Sequence, residues 1–244
     1  MFDPFGDFAE AGYLRNTSAE KNLEIVKIAE HELFRAQLPL ALNFLSNCKR
    51  IGYADFLKVH EIIFNALYPW AGKDRAEVLP ERSVSKGSIF FCHPKDCRRA
   101  IEEGLLWAQE KNLILTKPGF IMGLFAYGHP ILDGNGRTML IVHAELCFRA
   151  GISIDWMRTN KKSYLTSLSL EIENPNMGHL DHYLQPFIGK MVPREHWMEA
   201  IAVIPGLDGV NTDSNSSSKY DDPDVTKNYL AFEKRRKYKL MDAK

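Results

Sequence analysis

The sequence predicts an all-α protein, a helical bundle interrupted once by a short β-hairpin. Three observations carry this. Apolar residues recur at spacings of three and four along most of the chain up to Ile188. Capping residues stand ahead of those stripes. A single stretch, Ala76 to Cys92, breaks the helical period, and no internal repeat is present.

The elements follow in order. Thr17-Ser-Ala-Glu20 reads as a capping box, with Leu23, Val26, Ala29 and Leu33 behind it, which predicts a helix over 18–37 that Pro39 ends or kinks. A second helix is expected from Tyr53 to Leu67, with His60 on its apolar stripe as a satisfied core histidine. Tyr68-Pro-Trp-Ala-Gly72 breaks it. In the aperiodic stretch, Arg82-Ser-Val-Ser-Lys-Gly87 lies between Val78-Leu79 and Ile89-Phe90-Phe91, which predicts a hairpin. Pro94 opens a helix to about Glu110, and Thr116 is expected to cap the next, through Tyr127. The following helix, Gly136 to Ala150, is apolar or small on nearly every face and should be the buried centre. Thr159 or Asn160 caps a helix to Glu173, and Asp181 caps one ending near Ile188.

Length and composition fit one globular domain with an appendage: 244 residues, 45% hydrophobic. The boundary falls near residue 192, with a tail over 193–244. That tail reads as a helix over 193–204, a flexible Gly/Asn/Asp/Ser linker over 205–222 and a terminal helix from Asp222-Pro223. Six Lys/Arg against two acids lie between Asp224 and Lys239, and the expectation is a solvated basic end packed weakly on the core rather than a docking helix for an acidic partner. The 31 basic and 31 acidic side chains cancel, which gives no global reason for nucleic-acid or membrane binding. Cys48, Cys92, Cys97 and Cys147 show no metal spacing, so reduced thiols in a cytoplasmic protein are expected. No apolar run reaches membrane-spanning length, and the N-terminus lacks the basic start of a signal peptide.

Between the two most apolar helices lies a polar loop, Gly128-His-Pro-Ile-Leu-Asp-Gly-Asn-Gly-Arg137. Gly134-Asn135-Gly136 allows positive φ and turns backbone N–H groups toward one point at a helix N-terminus, where an anion is favoured. Arg137 is placed to fork onto phosphate oxygens, and Asp133 suits Mg²⁺, which takes few protein ligands beside phosphates. His129 is the candidate base for an incoming hydroxyl. A lone Gly-x-Gly would be read as a helix connection; these five parts in register describe transfer of a phosphate-containing group from a Mg-nucleotide.

His129-Pro-Ile-Leu-Asp133-Gly-Asn-Gly-Arg137 resembles the Fic family motif, H-P-F-x-(D/E)-G-N-G-R-x-x-R. Tyr13-Leu-Arg-Asn16, His60 with Phe64, and Tyr68-Pro-Trp-Ala-Gly72 followed by Arg75 extend the likeness over roughly Gly12 to Ile188. Ile131 stands where the motif has phenylalanine, and Leu140 where it has a second arginine that in the family holds the γ-phosphate. The resemblance implies a Fic-type helical fold whose catalytic part is 1–192, and transfer of AMP, or another NMP, from Mg-ATP or another NTP to a Ser, Thr or Tyr hydroxyl of a target protein. It makes His129 and Asn135 catalytic, Asp133 the Mg²⁺ ligand, and Gly134, Asn135, Gly136 and Arg137 the phosphate cradle. It also implies a hairpin flap, Lys86, Gly87, Ser88, Ile89 and Phe90, that pairs with target backbone. The alternatives are a target- or nucleotide-binding module without turnover, and Fic-like phosphate or phosphocholine transfer. Family members include toxins restrained by a separate antitoxin chain and effectors delivered into host cells. Many carry an inhibitory glutamate in (S/T)-x-x-x-E-(G/N); the one match here, Ser169 to Asn174, lies inside the core. With Leu140 in place of arginine, this chain is expected to lack an intramolecular glutamate latch.

Overall fold

The computed structural model describes residues 2–109, 111–202, 204 and 215–241. Most of the expected linker, 205–214, lies outside the described residues.

The first long helix, α1, spans Leu23–Asn47 rather than 18–37. Its cap is Asn22, whose side chain accepts from the N–H groups of Glu24 and Ile25. The expected capping box does not form, because Asn16 claims that segment: its Oδ1 accepts from Ser18 and Glu20, and its amide donates to the Tyr13 and Glu20 carbonyls. Pro39 sits inside α1 and does not end it. The proline is on the exposed face, while Phe34, Leu38, Ala41 and Leu45 continue the buried stripe past it. Burial of that stripe offsets one missing backbone donor.

Helix α2, Tyr53–Phe64, packs along α1. A helical turn at Arg75–Val78 leads into the hairpin, β1 Arg82–Lys86 and β2 Ile89–Phe90, with Ser85 opposite Phe90 and Lys86 opposite Ile89. Then come α3 Cys97–Gln109, α4 Lys111–Thr116, α5 Pro118–Gly128 and α6 Asn135–Ala150. Thr116 ends α4 and does not cap α5. The α5 N-terminus is capped through space instead, by Asp181 Oδ1 accepting from Gly119 and Phe120 at 2.6 and 3.2 Å. Helix α6 is the buried axis against α1, α2 and α5, and closes at Gly151 in the left-handed conformation.

After α6, β3 Ile152–Ile154 pairs antiparallel with β4 Ile188–Lys190, a second small sheet that the sequence does not announce. Between them are α7 Lys161–Glu173, capped by Asn160 as expected, and α8 His179–Leu184. Asp181 is therefore inside α8 and not its cap.

The tail returns to the hairpin. A short helix, α9, covers Trp197–Ala202. Residues Ser216–Lys219 form β5, not linker, giving a sheet of order β2-β1-β5. Helix α10, Pro223–Arg236, is capped by Asp222. It is held more firmly than a solvated basic end: Phe232 is 1% exposed against Phe90, and Arg236 is 3% exposed, donating to the Ile172 carbonyl with its guanidinium over the Tyr127 ring. Among the described residues no helix is long and apolar enough to cross a membrane.

Candidate active site

The α5–α6 connection brings His129, Asp133, Gly134, Asn135, Gly136 and Arg137 to one wall of a cavity of about 980 Å³. Loop and helix start are built by two left-handed residues, His129 at φ 37° closing α5 and Gly134 at φ 75° opening α6. Gly134 has a second reason to be glycine: a Cβ there would sit 2.7 Å from the Phe64 ring and 2.9 Å from His60 Nε2. Asn135 and Gly136 are ordinary first residues of α6, so the backbone turn rests on Gly134 rather than on the whole triplet. Around Gly136 there is open space.

Asn135 spends its side chain on the loop. Its Oδ1 accepts from the Ile131 N–H at 3.1 Å, and its amide donates to the Ile131 carbonyl at 2.5 Å. His60 is the core histidine expected: Nε2 lies 3.0 Å from the Asp133 carbonyl, Nδ1 accepts from the Gly72 N–H, and burial lowers its pKa to about 3. Ile131 is fully buried in the core, as the phenylalanine it replaces is expected to be.

His129 is 9% exposed, with its ring stacked on Phe91 at 3.7 Å and 9°. Its Nε2 is buried and has no protein partner. Burial, reinforced by the Arg75 charge, holds the imidazole well below its usual pKa, so the neutral form is the one present near neutrality. Arg75, itself fully buried, donates Nε to the His129 carbonyl at 2.7 Å and Nη2 to the Cys92 carbonyl at 2.8 Å. One guanidinium thereby ties the His129 loop to the far end of the hairpin.

The charges on the cavity floor form one connected set. Lys27 Nζ lies 2.5 Å from Asp133 Oδ2 and 2.9 Å from Glu30 Oε1. Arg137 Nη2 lies 2.5 Å from Glu30 Oε2, and the Tyr68 hydroxyl donates to Glu30 Oε1 at 2.5 Å. Burial alone would raise the Asp133 carboxyl; Lys27 and Arg137, with the Gly134 N–H, hold it far below the usual carboxylate range. Arg137 Nη1 is buried without a partner. Leu140, 5% exposed, lines the cavity where the motif has its second arginine.

A glutamate does face the motif, though at Arg137 and not at position 140, where a latch would grip. Glu30 comes from α1, lies outside any (S/T)-x-x-x-E-(G/N) pattern and grips the motif's remaining arginine. Sequence reading missed Lys27, Glu30 and Phe91. The signal for Glu30 was its place in the stripe Val26, Glu30, Phe34, Leu38, where a lone acid breaks an apolar series. Glu173 stands apart from this set and receives a 3.4 Å contact from Ser88 at the hairpin turn.

Of the flap residues, Lys86 and Ile89 line the cavity with His129, Phe90 turns to α10, and Gly87 takes φ 59° in the turn. As a magnesium ligand Asp133 offers one ionised carboxylate with donors on both oxygens, the Gly134 N–H on Oδ1 and Lys27 on Oδ2. Among the described residues no cluster of three or more His, Cys, Asp or Glu forms a metal cage. One carboxylate beside phosphate oxygens is a set that Mg²⁺ accepts.

Fold and site together are a helical bundle with a hairpin beside a histidine- and glycine-bearing loop at a helix N-terminus. Residues 50–147 match the family model of the Fic/DOC family. The chain is 30% identical over 122 residues to protein adenylyltransferase VbhT of Bartonella schoenbuchensis, covering 47% of this chain and 24% of that one. It is 24% identical over 127 residues to the probable protein adenylyltransferase y4lH of Sinorhizobium fredii, covering 48% and 64%. The chain therefore spans about a quarter of one curated relative and just under two thirds of the other. Among solved structures, the Fic domain of a Bartonella quintana effector with bound ADP superposes with a TM-score of 0.60 at 18% identity, covering 75% of this chain and 94% of that one. BepC of Bartonella tribocorum with bound AMPPNP gives 0.58 at 16% identity, covering 72% and 92%. These structures establish the shared helical fold.

Proposed function

We propose that the protein is a nucleotidyltransferase that moves AMP, or another NMP, from an NTP to a Ser, Thr or Tyr hydroxyl of a target protein. The observation that carries this is His129 Nε2, buried and without a protein partner beside a cavity that also holds the Gly134–Arg137 helix start. A base awaiting a proton has this environment.

In this reading the target oxygen attacks the α-phosphorus, its proton passes to His129 Nε2, the α–β phosphoanhydride bond breaks, and pyrophosphate leaves. Backbone N–H groups at the start of α6 stabilise charge on the α-phosphate. Asn135 acts by pinning Ile131, which fixes the loop that aims the imidazole. Arg137 offers Nη1 to the β-phosphate while Nη2 keeps Glu30. Asp133 would hold Mg²⁺ once Lys27 exchanges that carboxylate for phosphate oxygens; the ion supplies neutralisation of phosphate charge. Lys27 then supplies part of the cationic charge missing at Leu140. The relatives' adenylyltransferase names and the nucleotides in the Bartonella structures support the choice of co-substrate. Those neighbours are described as translocated effectors, and the proposal places this chain's action in a cytoplasm, its own or a host's.

Leu140 together with the Glu30–Arg137 pair favours a second reading, a binding module held without turnover. Incubation with cell lysate, Mg²⁺ and α- or γ-labelled ATP, GTP, CTP and UTP decides. Protein-bound label from the α position is the expected result. Label from γ means phosphotransfer, and no label from any donor leaves the binding module.

A further inference from the structure

The hairpin beside the cavity has its β1 edge covered by the chain's own tail. Strand β5 runs antiparallel to β1, with Arg82 opposite Lys219, Ser83 opposite Ser218, Val84 opposite Ser217 and Ser85 opposite Ser216. It begins at the cavity, where Asn215 lines the same space as Lys86 and His129. We propose that β5 is a resident occupant of the edge to which an extended target segment pairs, and that a target must displace it. This rests on the reading above that the acceptor is a polypeptide.

Geometry selects this edge. A hydroxyl on a polypeptide reaches His129 most directly from backbone lying along the cavity rim, and β1 offers a row of main-chain donors and acceptors there once β5 is gone. On the other side of the sheet β2 is only two residues long, and its Phe90 is packed against Tyr229 and Phe232 of α10.

The character of β5 fits a displaceable occupant. Ser-Ser-Ser-Lys brings no apolar side chain and poor strand propensity. Ser216, Ser218 and Lys219 are exposed, and Ser217 Oγ is buried without a hydrogen-bond partner. Outside the strand ladder, its ties among the described residues are Ser83 Oγ donating to the Ser218 carbonyl at 3.1 Å and a set at Tyr220: its N–H to the Glu81 carbonyl at 3.0 Å, its carbonyl accepting from Thr226 Oγ1 at 2.7 Å, and its ring stacked on His93 at 4.5 Å and edge-on to Tyr229 at 5.5 Å. An incoming strand replaces the ladder bonds one for one, so among the described residues the contacts at Ser83 and Tyr220 set the cost of exchange. Apparent target affinity is then lowered by the fraction of molecules whose edge is closed.

The test uses the full chain and a fluorescein-labelled peptide copying Asn215–Asp222. Adjacent residues of a strand point their N–H groups to opposite sides, so Ser217→Pro with Ser218→Pro removes one donor aimed at β1 whichever phase applies. The expected result is faster amide exchange over Arg82–Lys86 and peptide binding tighter than wild type by about tenfold. Tyr220→Ala leaves the strand backbone intact and removes its anchoring stack; it should shift both readouts in the same direction and carries the test where the proline variant does not fold. Unchanged exchange and unchanged peptide affinity in the folded variants overturn the resident strand. Transfer of α-label is measured in parallel. An opened edge that binds peptide without label transfer supports the resident strand and removes the transferase reading, whereas label transfer with an unaltered edge removes the resident strand alone.

Discussion

At the scale of single residues, three side chains test the proposed chemistry. In the proposed reaction His129 has its task only while a proton moves, so His129→Ala should abolish transfer and leave nucleotide affinity nearly unchanged, measured by label transfer and calorimetry. Its lowered pKa keeps the base deprotonated as pH falls through the ordinary imidazole value of about 6.5, so the rate should stay level there in a pH–rate profile and drop only at more acid pH. Glu30 balances Lys27 and Arg137 in a buried set. Glu30→Gln removes one partner of that set and should cost about 3–5 kcal/mol of stability. ATP phosphates then become the remaining counter-charge for Arg137, so the rise in Tm on adding ATP should exceed that of wild type by scanning fluorimetry. Leu140→Arg restores a guanidinium beside the cavity and should tighten triphosphate binding by roughly 1.5–3 kcal/mol. Glu173→Gly should leave activity unchanged, since Glu173 reaches Ser88 and not Arg137.

At the scale of elements, the hairpin is where register matters. A proline at Ile89 or Phe90 distorts β2, so target labelling should fall while binding of a fluorescent ATP analogue persists; equal loss of both would mean that the strand shapes the nucleotide pocket. The elements that were legible in the sequence are those whose evidence is local. α2, α6, α7 and α10 have stripes and caps within themselves, and the loop from His129 to Arg137 carries its chemistry in consecutive residues. What escaped depends on partners distant along the chain. Asp181 caps α5 from another helix, and Asn16 dismantles the capping pattern at Thr17–Glu20. Ser216–Lys219 has no strand pattern and is a strand only because β1 offers it an edge. Lys27 looks like any polar helix position until α1 is laid beside Asp133.

At the scale of the whole molecule, Glu171 is a joint between helices. Its Oε2 accepts from the Leu180 N–H at 2.9 Å, and Gly123 lets it approach α5, where a Cβ would meet its Cγ at 2.7 Å. Burial raises its pKa from 4.5 to about 7. The folded state therefore binds more protons than the unfolded between those values, and this group's contribution to stability is full below pH 4.5 and is lost as pH rises to about 7. Glu171→Gln should raise Tm at pH 8 and leave it nearly unchanged at pH 5, read by calorimetry. Arg75 has a consequence on the same scale. Because its guanidinium bonds both the Cys92 and His129 carbonyls, the hairpin and the imidazole hang from one post. Like the jaws of a caliper on one bar, their separation is gauged by two hydrogen bonds and not by the loops between them. The outer jaw can be recut: β1 and its turn can change sequence without resetting the distance to His129.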